Sequence, residues 1–122
     1  MGKAADKLKL AEKQLERVQA AWADPTDWAD LSMYGLYCLE NAVSAAAIQF
    51  RIPTSRKHWE KADAAHELHV KHGLPDVSDL LRDLNEARKA NAYGDVPEPL
   101  LDAEDVASRI EEYVQAVKAA LP

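Results

Sequence analysis

The chain has 122 residues, of which 30% are charged and one is a cysteine, and its formal net charge is −6. This length supports one core without disulfides or metals, and a lone cysteine excludes an intrachain disulfide. The negative charge argues against a broad electrostatic grip on nucleic acid, because phosphate contacts need clustered lysines and arginines. Abundant alanine and leucine with few glycines favour helix almost throughout. We therefore predict a single all-α domain over residues 1–122.

No apolar stretch approaches the roughly 20 residues that a membrane span requires. The lysines near the start are not followed by a long apolar run either, so no targeting segment is expected. Nothing in the cysteine usage indicates an oxidising compartment, and Cys38 lies inside an apolar stretch. We expect a soluble cytoplasmic protein without membrane association, in which Cys38 is a buried, reduced thiol.

The first two helices are predicted over residues 3–23 and 26–51. Asp24 is the expected cap between them, and Pro25 suits a first helical turn. The second helix is apolar nearly all round, which is typical of the central helix of a bundle. Gly35 in its middle indicates close approach of another helix, since mid-helix glycine costs about 1 kcal/mol. Three polar residues stand among its apolar positions: Glu40, Asn41 and Ser44.

Three further helices follow. The third begins at about Ser55 and ends before Gly73, a glycine stop followed by proline. The fourth is capped by Asp76 or Ser78 and closed by Gly94. Asp102 caps the fifth, whose apolar stripe is Val106, Ile110, Val114, Val117 and Leu121. Short connections between five helices predict an antiparallel up-and-down bundle.

All four histidines fall on the third helix, at His58, His66, His69 and His72. On a helical wheel they share a broad face with Trp59, Ala62, Ala65 and Val70. His66 and His69 are three residues apart and could hold one metal ion, whereas His58 is about three turns from His69. The paired Glu-x-x-His motifs of carboxylate-bridged di-metal bundles are missing. We favour a structural or dimer-facing role, expect no cofactor, and keep a metal-binding bundle as an alternative.

Arg88 borders the apolar stripe of the fourth helix, formed by Leu80, Leu84, Ala87 and Asn91. A guanidinium turned toward a core is costly unless it is paired. One interpretation is an ion pair with Glu40, the inward-facing acid of the second helix. The other is a ligand site in which Arg88, with Asn85 or Asn91, binds a phosphate or a base. Tyr93 projects near the outward face and is placed to meet a partner.

The segments Tyr34-Gly35-Leu36-Tyr37-Cys38-Leu39-Glu40-Asn41-Ala42 and Leu84-Asn85-Glu86-Ala87-Arg88-Lys89-Ala90-Asn91-Ala92-Tyr93-Gly94 resemble those of the HEPN superfamily of prokaryotic helical bundles. The resemblance implies a dimeric bundle. Many members are ribonucleases in toxin–antitoxin and phage-defence systems, and others are inactive partners of nucleotidyltransferases or bind nucleotides. Arg88 matches the arginine of the active members' motif, and Glu40 resembles the polar residue of their preceding long helix.

Active members carry a histidine four to six residues after that arginine, but this chain has Tyr93, Gly94 and Asp95 beyond Arg88. None of these replaces an imidazole as a proton shuttle near neutral pH. We therefore expect a diverged, non-catalytic module in a nucleotide- or RNA-linked toxin–antitoxin or defence system. Its expected partners are a second copy of itself, a nucleotidyltransferase or an antitoxin. The enzymatic alternative is a metal-independent ribonuclease with Arg88, Glu40, and His66 or His69 as catalytic candidates.

Overall fold

The computed structural model describes residues 3–54, 57–92, 94 and 101–122, and within them the chain is an all-α helical bundle. The fold class predicted from composition and periodicity is thus confirmed. None of the helices in this part of the chain has the length and apolarity needed to cross a bilayer. The helices are α1 (Lys3–Ala21), α2 (Trp28–Phe50), α3 (His58–His72), α4 (Ser78–Ala92) and α5 (Ala103–Ala120).

The ends of α3 and α5 are set by the local signals expected of them. Gly73 ends α3 with φ +72°, in the left-handed region that glycine adopts without strain. Asp102 caps α5, and its side chain accepts a hydrogen bond from the backbone N–H of Glu104. Gly94 follows α4 with φ +73°. The start of α3 expected at Ser55 and the loop at residues 95–99 lie outside the described residues.

The cap expected at Asp24 is wrong, because Asp27 caps α2. The Asp27 side chain accepts a hydrogen bond from the backbone N–H of Asp30. The Asp27 backbone N–H in turn donates to the carbonyl of Ala21, at 2.9 Å. This bond holds the residues between the two helices against the end of α1. The N-cap of α2 is therefore Asp27, three residues after Asp24.

The centre of the bundle is α2, which packs against all four other helices. Its small residues permit close approach: a Cβ atom at Gly35 would lie 3.0 Å from Cδ1 of Ile110 and 3.4 Å from Cδ1 of Leu84. Cys38 is fully buried, as predicted, and its thiol donates to the carbonyl of Ala11 at 3.1 Å. Burial raises the pKa of this thiol to about 12.

Side-chain contacts give the direction of each helix. In three helix pairs, residues with higher numbers on one helix contact residues with lower numbers on the other, so these pairs are antiparallel. The contacts between α1 and α2 are Ala11–Cys38 and Arg17–Tyr34, and those between α1 and α5 are Glu12–Lys118 and Gln19–Glu111. From α3, Asp63 contacts Arg82 in α4, and His66 contacts Asp76, which lies two residues before α4.

The helices α2 and α3 are not antiparallel, unlike the three pairs above. His58, the first residue of α3, contacts Glu40 in the middle of α2. His72, at the other end of α3, stacks on Phe50 at the end of α2, with ring centroids 4.0 Å apart. The two helices therefore run in the same general direction, and α3 begins about 15 Å back along α2. This placement brings the first turn of α3 beside the polar residues of α2.

Candidate functional site

Glu40 is mostly buried, with 14% of its side chain exposed, as its position among apolar residues predicts. Its Oε2 atom lies within hydrogen-bonding distance of Nδ1 of His58. The expected ion pair between Glu40 and Arg88 is wrong, because no such contact forms between these two described residues. The physical reason is that α3 runs parallel to α2 and places the His58 imidazole beside the Glu40 carboxylate, which therefore has its partner in α3 and not in α4.

One turn further along both helices, the ammonium of Lys61 donates a hydrogen bond to Oγ of Ser44, which is buried. We call these four residues, Glu40, Ser44, His58 and Lys61, the polar junction. A cavity of about 220 Å³ opens beside it, lined by Gln14, Tyr37, Glu40, Asn41 and Lys61. Ser44 was visible in the sequence as a polar residue on an apolar helix, whereas nothing distinguished Lys61 from the other lysines.

Burial lowers the pKa of Lys61 below its ordinary value, because an ammonium loses hydration there. The Glu40 carboxylate partly offsets this by favouring the charged amine, and Lys7 acts in the same direction as burial. The amide of Asn41 is bound separately, donating to Oε1 of Gln14 at 2.8 Å. The polar junction therefore contains the positioned amine of Lys61, which takes up a proton less readily than the amine of a surface lysine.

Arg88 is half-buried, as its place at the border of the apolar stripe predicts. Its Nη2 donates to Oδ1 of Asn85 at 2.9 Å. The Nε atom is buried and has no hydrogen-bond partner among the described residues. No carboxylate there forms an ion pair with the guanidinium, and Nη1 is neither bonded nor sealed from solvent. The result is a partly desolvated cation with unused donors, which carries a desolvation cost.

Asn85 connects Arg88 to an open groove between α3 and α4. The groove, of about 510 Å³, is lined by Lys57, His58, Trp59, Arg82, Asn85, Glu86 and Lys89. Three cations and one acid line it, an excess of positive charge that the ion pairs of Arg82 with Asp63 at 3.7 Å and of Lys89 with Glu86 at 3.9 Å partly offset. Trp59 is 59% exposed, with Nζ of Lys57 lying 5.4 Å from its ring centroid. We call this surface the α3–α4 groove.

The histidine-bearing face of α3 is only partly covered, since Ala62 and Ala65 are buried whereas Trp59 and Val70 are exposed. His66 is exposed, with Nδ1 3.4 Å from Oδ2 of Asp76. His69 is also exposed, and its Nδ1 lies 2.8 Å from the carbonyl oxygen of Leu74. Within the described ranges, no three His, Cys, Asp or Glu side chains are grouped to hold a metal ion.

His66 and His69 also lie far from Arg88. His66 contacts Asp76, which accepts hydrogen bonds from Ser78 at the first turn of α4. Arg88 is ten residues further along that helix, a distance of about 15 Å. Asn91 is half-buried and donates to the carbonyl of Ala87 within its own helix, while Tyr93 lies outside the described residues. The histidine brought nearest to the Arg88–Asn85 pair is therefore His58.

The start of α4 is fixed to α5 by Arg109, which donates to both carboxylate oxygens of Asp79, at 2.9 and 3.3 Å, and to the carbonyl of Asp76 at 3.1 Å. The hydrogen bond from Arg109 holds the pKa of Asp79 below its ordinary value. A hydrogen bond from Ser78 does the same for the pKa of Asp76. These contacts set the position of the helix that carries Asn85 and Arg88.

The lowered pKa of Asp79 predicts a pH-dependent contribution to stability. In the unfolded chain this carboxyl titrates near 3.8, so the contribution is complete above that pH and is lost as the pH falls through the lower folded-state pKa. Asp79→Asn should therefore reduce the free energy of unfolding near neutral pH, by an amount that shrinks on acidification below pH 3.8. Urea titrations across this range measure the difference, with exposed Asp83→Asn as the control. A difference that stays constant with pH would contradict the linkage.

Comparison with known proteins gave no match to a family model, to a curated protein or to a solved structure.

Proposed function

We propose that this chain is a non-catalytic, HEPN-like binding module that acts as a homodimer in a nucleotide- or RNA-linked toxin–antitoxin or defence system. Its proposed partner there is a nucleotidyltransferase or an antitoxin. The observation that carries the proposal is the half-buried Arg88 guanidinium, which has no ion-pair partner among the described residues and is one hydrogen bond from a basic groove. The proposed ligand is a phosphate-bearing nucleotide or a single-stranded RNA.

The chemistry of the α3–α4 groove supports that ligand class. A guanidinium donates charge-assisted hydrogen bonds to phosphate oxygens, and Arg88, which does not itself line the groove, is bonded to Asn85 at its wall. Lys57, Arg82 and Lys89 supply a local positive field along the groove. The exposed Trp59 indole offers a face on which a base can stack. Phosphate binding and stacking together suit a nucleotide better than an inorganic anion.

Fluorescence anisotropy with a labelled single-stranded oligoribonucleotide, and calorimetry with ATP, test the proposal. We expect binding that weakens with added salt, since phosphate contacts release counterions. Arg88→Ala should weaken it about tenfold or more, through loss of a charge-assisted hydrogen bond. Arg17→Ala is the matched control, because this exposed arginine lies on α1 over the Tyr34 ring. Binding of neither ligand, or equal effects of the two variants, would overturn the proposal.

The proposed dimer is tested separately. Val70, 64% exposed, provides apolar surface on α3 for a second copy to cover. Light scattering coupled to size-exclusion chromatography should give twice the 13.5 kDa chain mass. A monomer across the micromolar range would remove the dimer from the proposal and leave the ligand site to be judged by the binding experiment.

A ribonuclease is the second candidate function, and the position of His58 favours it. This histidine lines the same groove as Asn85, and its Nδ1 is engaged by Glu40, which leaves Nε2 to accept a proton. In this hypothesis His58 deprotonates the 2′-hydroxyl, whose oxygen then bonds to phosphorus while Arg88 stabilises charge on the phosphate. The P–O5′ bond breaks, and the leaving 5′-oxygen takes a proton from solvent. The same oligoribonucleotide, incubated with EDTA, should be cleaved by the wild type and not by His58→Ala or Arg88→Ala. RNA that is bound but stays intact would exclude the enzyme.

A further inference from the structure

We infer that Lys61 is a nucleophilic amine that accepts an acyl group from an activated donor of the acyl phosphate class. The inference rests on the polar junction and its cavity, and it does not depend on the proposed function. Lys61 is the half-buried lysine of the described residues. All the other lysines are exposed: Lys3, Lys7, Lys9, Lys13, Lys57, Lys71, Lys89 and Lys118.

The geometry positions the amine at a space that can receive a small donor. Nζ of Lys61 is fixed by its hydrogen bond to Ser44, a buried residue of the central helix. The same side chain lines the open cavity of about 220 Å³, large enough for an acetyl group and part of its leaving phosphate. An amine held at the wall of an accessible pocket loses less conformational entropy on reaction than one on a mobile surface side chain.

The electrostatics of the junction favour the reactive form. Only the unprotonated amine attacks a carbonyl carbon, and burial lowers the pKa of Lys61. Three groups around it also titrate or carry charge. Glu40 opposes the effect by favouring the ammonium, although its carboxylate is shared with His58. Lys7 of α1 reinforces it by repulsion. The remaining titratable side chain at the cavity wall is that of Tyr37.

The reaction is a simple acyl transfer. The lone pair of Nζ attacks the carbonyl carbon of acetyl phosphate and forms the N–C bond. The C–O bond to phosphate then breaks, inorganic phosphate leaves with the electron pair, and the amine proton passes to solvent. The product is a neutral amide at Lys61. It removes the positive charge facing Glu40 and the ammonium donor bonded to Ser44, so the modification alters the contact between α2 and α3.

Time-resolved peptide mass spectrometry of the full chain treated with acetyl phosphate tests the inference. Near pH 7.5, Lys61 should be acetylated several-fold faster than Lys71 and Lys89, which are exposed lysines in the same sample. The advantage should shrink toward about pH 10, where exposed amines also lose their proton. In 8 M urea, all three rates should converge, because the advantage depends on the fold. Equal rates in the folded chain, or an advantage that persists in urea, would overturn it.

Glu40→Gln distinguishes an activated amine from a merely accessible one. Removing the carboxylate removes the charge that favours the ammonium, so acetylation of Lys61 should become faster near pH 7.5 while Lys71 and Lys89 keep their rates. Circular dichroism confirms that the variant is folded. A rate at Lys61 that is unchanged or slower in the folded variant would show that the surrounding charges do not control the amine, and would contradict the inference.

Discussion

Replacing Gly35 with valine is expected to lower the free energy of unfolding by about 3 kcal/mol. Even a single Cβ atom there would lie 3.0 Å from Cδ1 of Ile110 and 3.4 Å from Cδ1 of Leu84. Valine adds two more methyl groups at a point where α2 meets α4 and α5. Because both neighbours are fully buried, they have little room to move aside. Urea unfolding followed by circular dichroism measures the loss.

Gly35→Ala is the matched control for this prediction. Alanine adds only the Cβ atom and gains about 1 kcal/mol of helix propensity, which offsets part of the crowding. Ile110→Val removes the Cδ1 atom that crowds this position, so it should cost less in the Gly35→Ala background than in the wild type. A Gly35→Val variant as stable as the wild type would show that the three helices do not pack as closely as described.

Arg88→Met is expected to change stability and ligand binding in opposite directions. Methionine keeps the aliphatic length of arginine and removes the buried Nε atom that has no partner among the described residues. Relief of that desolvated donor should raise the free energy of unfolding by about 1 kcal/mol. Binding of the oligoribonucleotide should fall at least as far as in Arg88→Ala. Such a gain is typical of a residue retained for function at the expense of stability.

The two properties are measured on the same protein preparation, by urea unfolding and by fluorescence anisotropy. Arg82→Met serves as the stability control, since Arg82 is 58% exposed and pairs with Asp63 only at 3.7 Å. Its replacement should change the free energy of unfolding by no more than about 0.5 kcal/mol. If Arg88→Met destabilises the chain instead, Arg88 is a structural residue and the binding proposal loses its main support.

Local signals in the sequence were sufficient for most of the helix ends. Gly73 needs a positive φ angle and Asp102 bonds the next N–H groups, so each acts within a few residues of itself. The cap at Asp27 was missed because it depends on a hydrogen bond back to Ala21. The buried residues of α3 are Ala62, Ala64, Ala65 and Leu68, and the exposure of Trp59 and Val70 depends on which side of the helix its neighbours cover.

The candidate site was only partly predictable. The inward positions of Glu40 and Arg88 follow from helical periodicity, and both residues are at least half-buried. Their partners do not follow from it, because pairing depends on which helices become neighbours and in what direction. A parallel α3 gives Glu40 to His58 and leaves Arg88 with Asn85. The Lys61–Ser44 contact has the same origin, and a spacing rule within one helix cannot detect it.

The buried thiol of Cys38 allows separation of α1 from α2 to be followed by thiol labelling of the unmodified protein. An alkylating reagent needs an exposed thiolate, whereas this sulfur is fully covered, bonded to Ala11 and held protonated by a pKa of about 12. Alkylation must therefore wait until α1 separates from α2. Since the sequence has no other cysteine, the labelling rate of the unaltered protein counts those opening events directly.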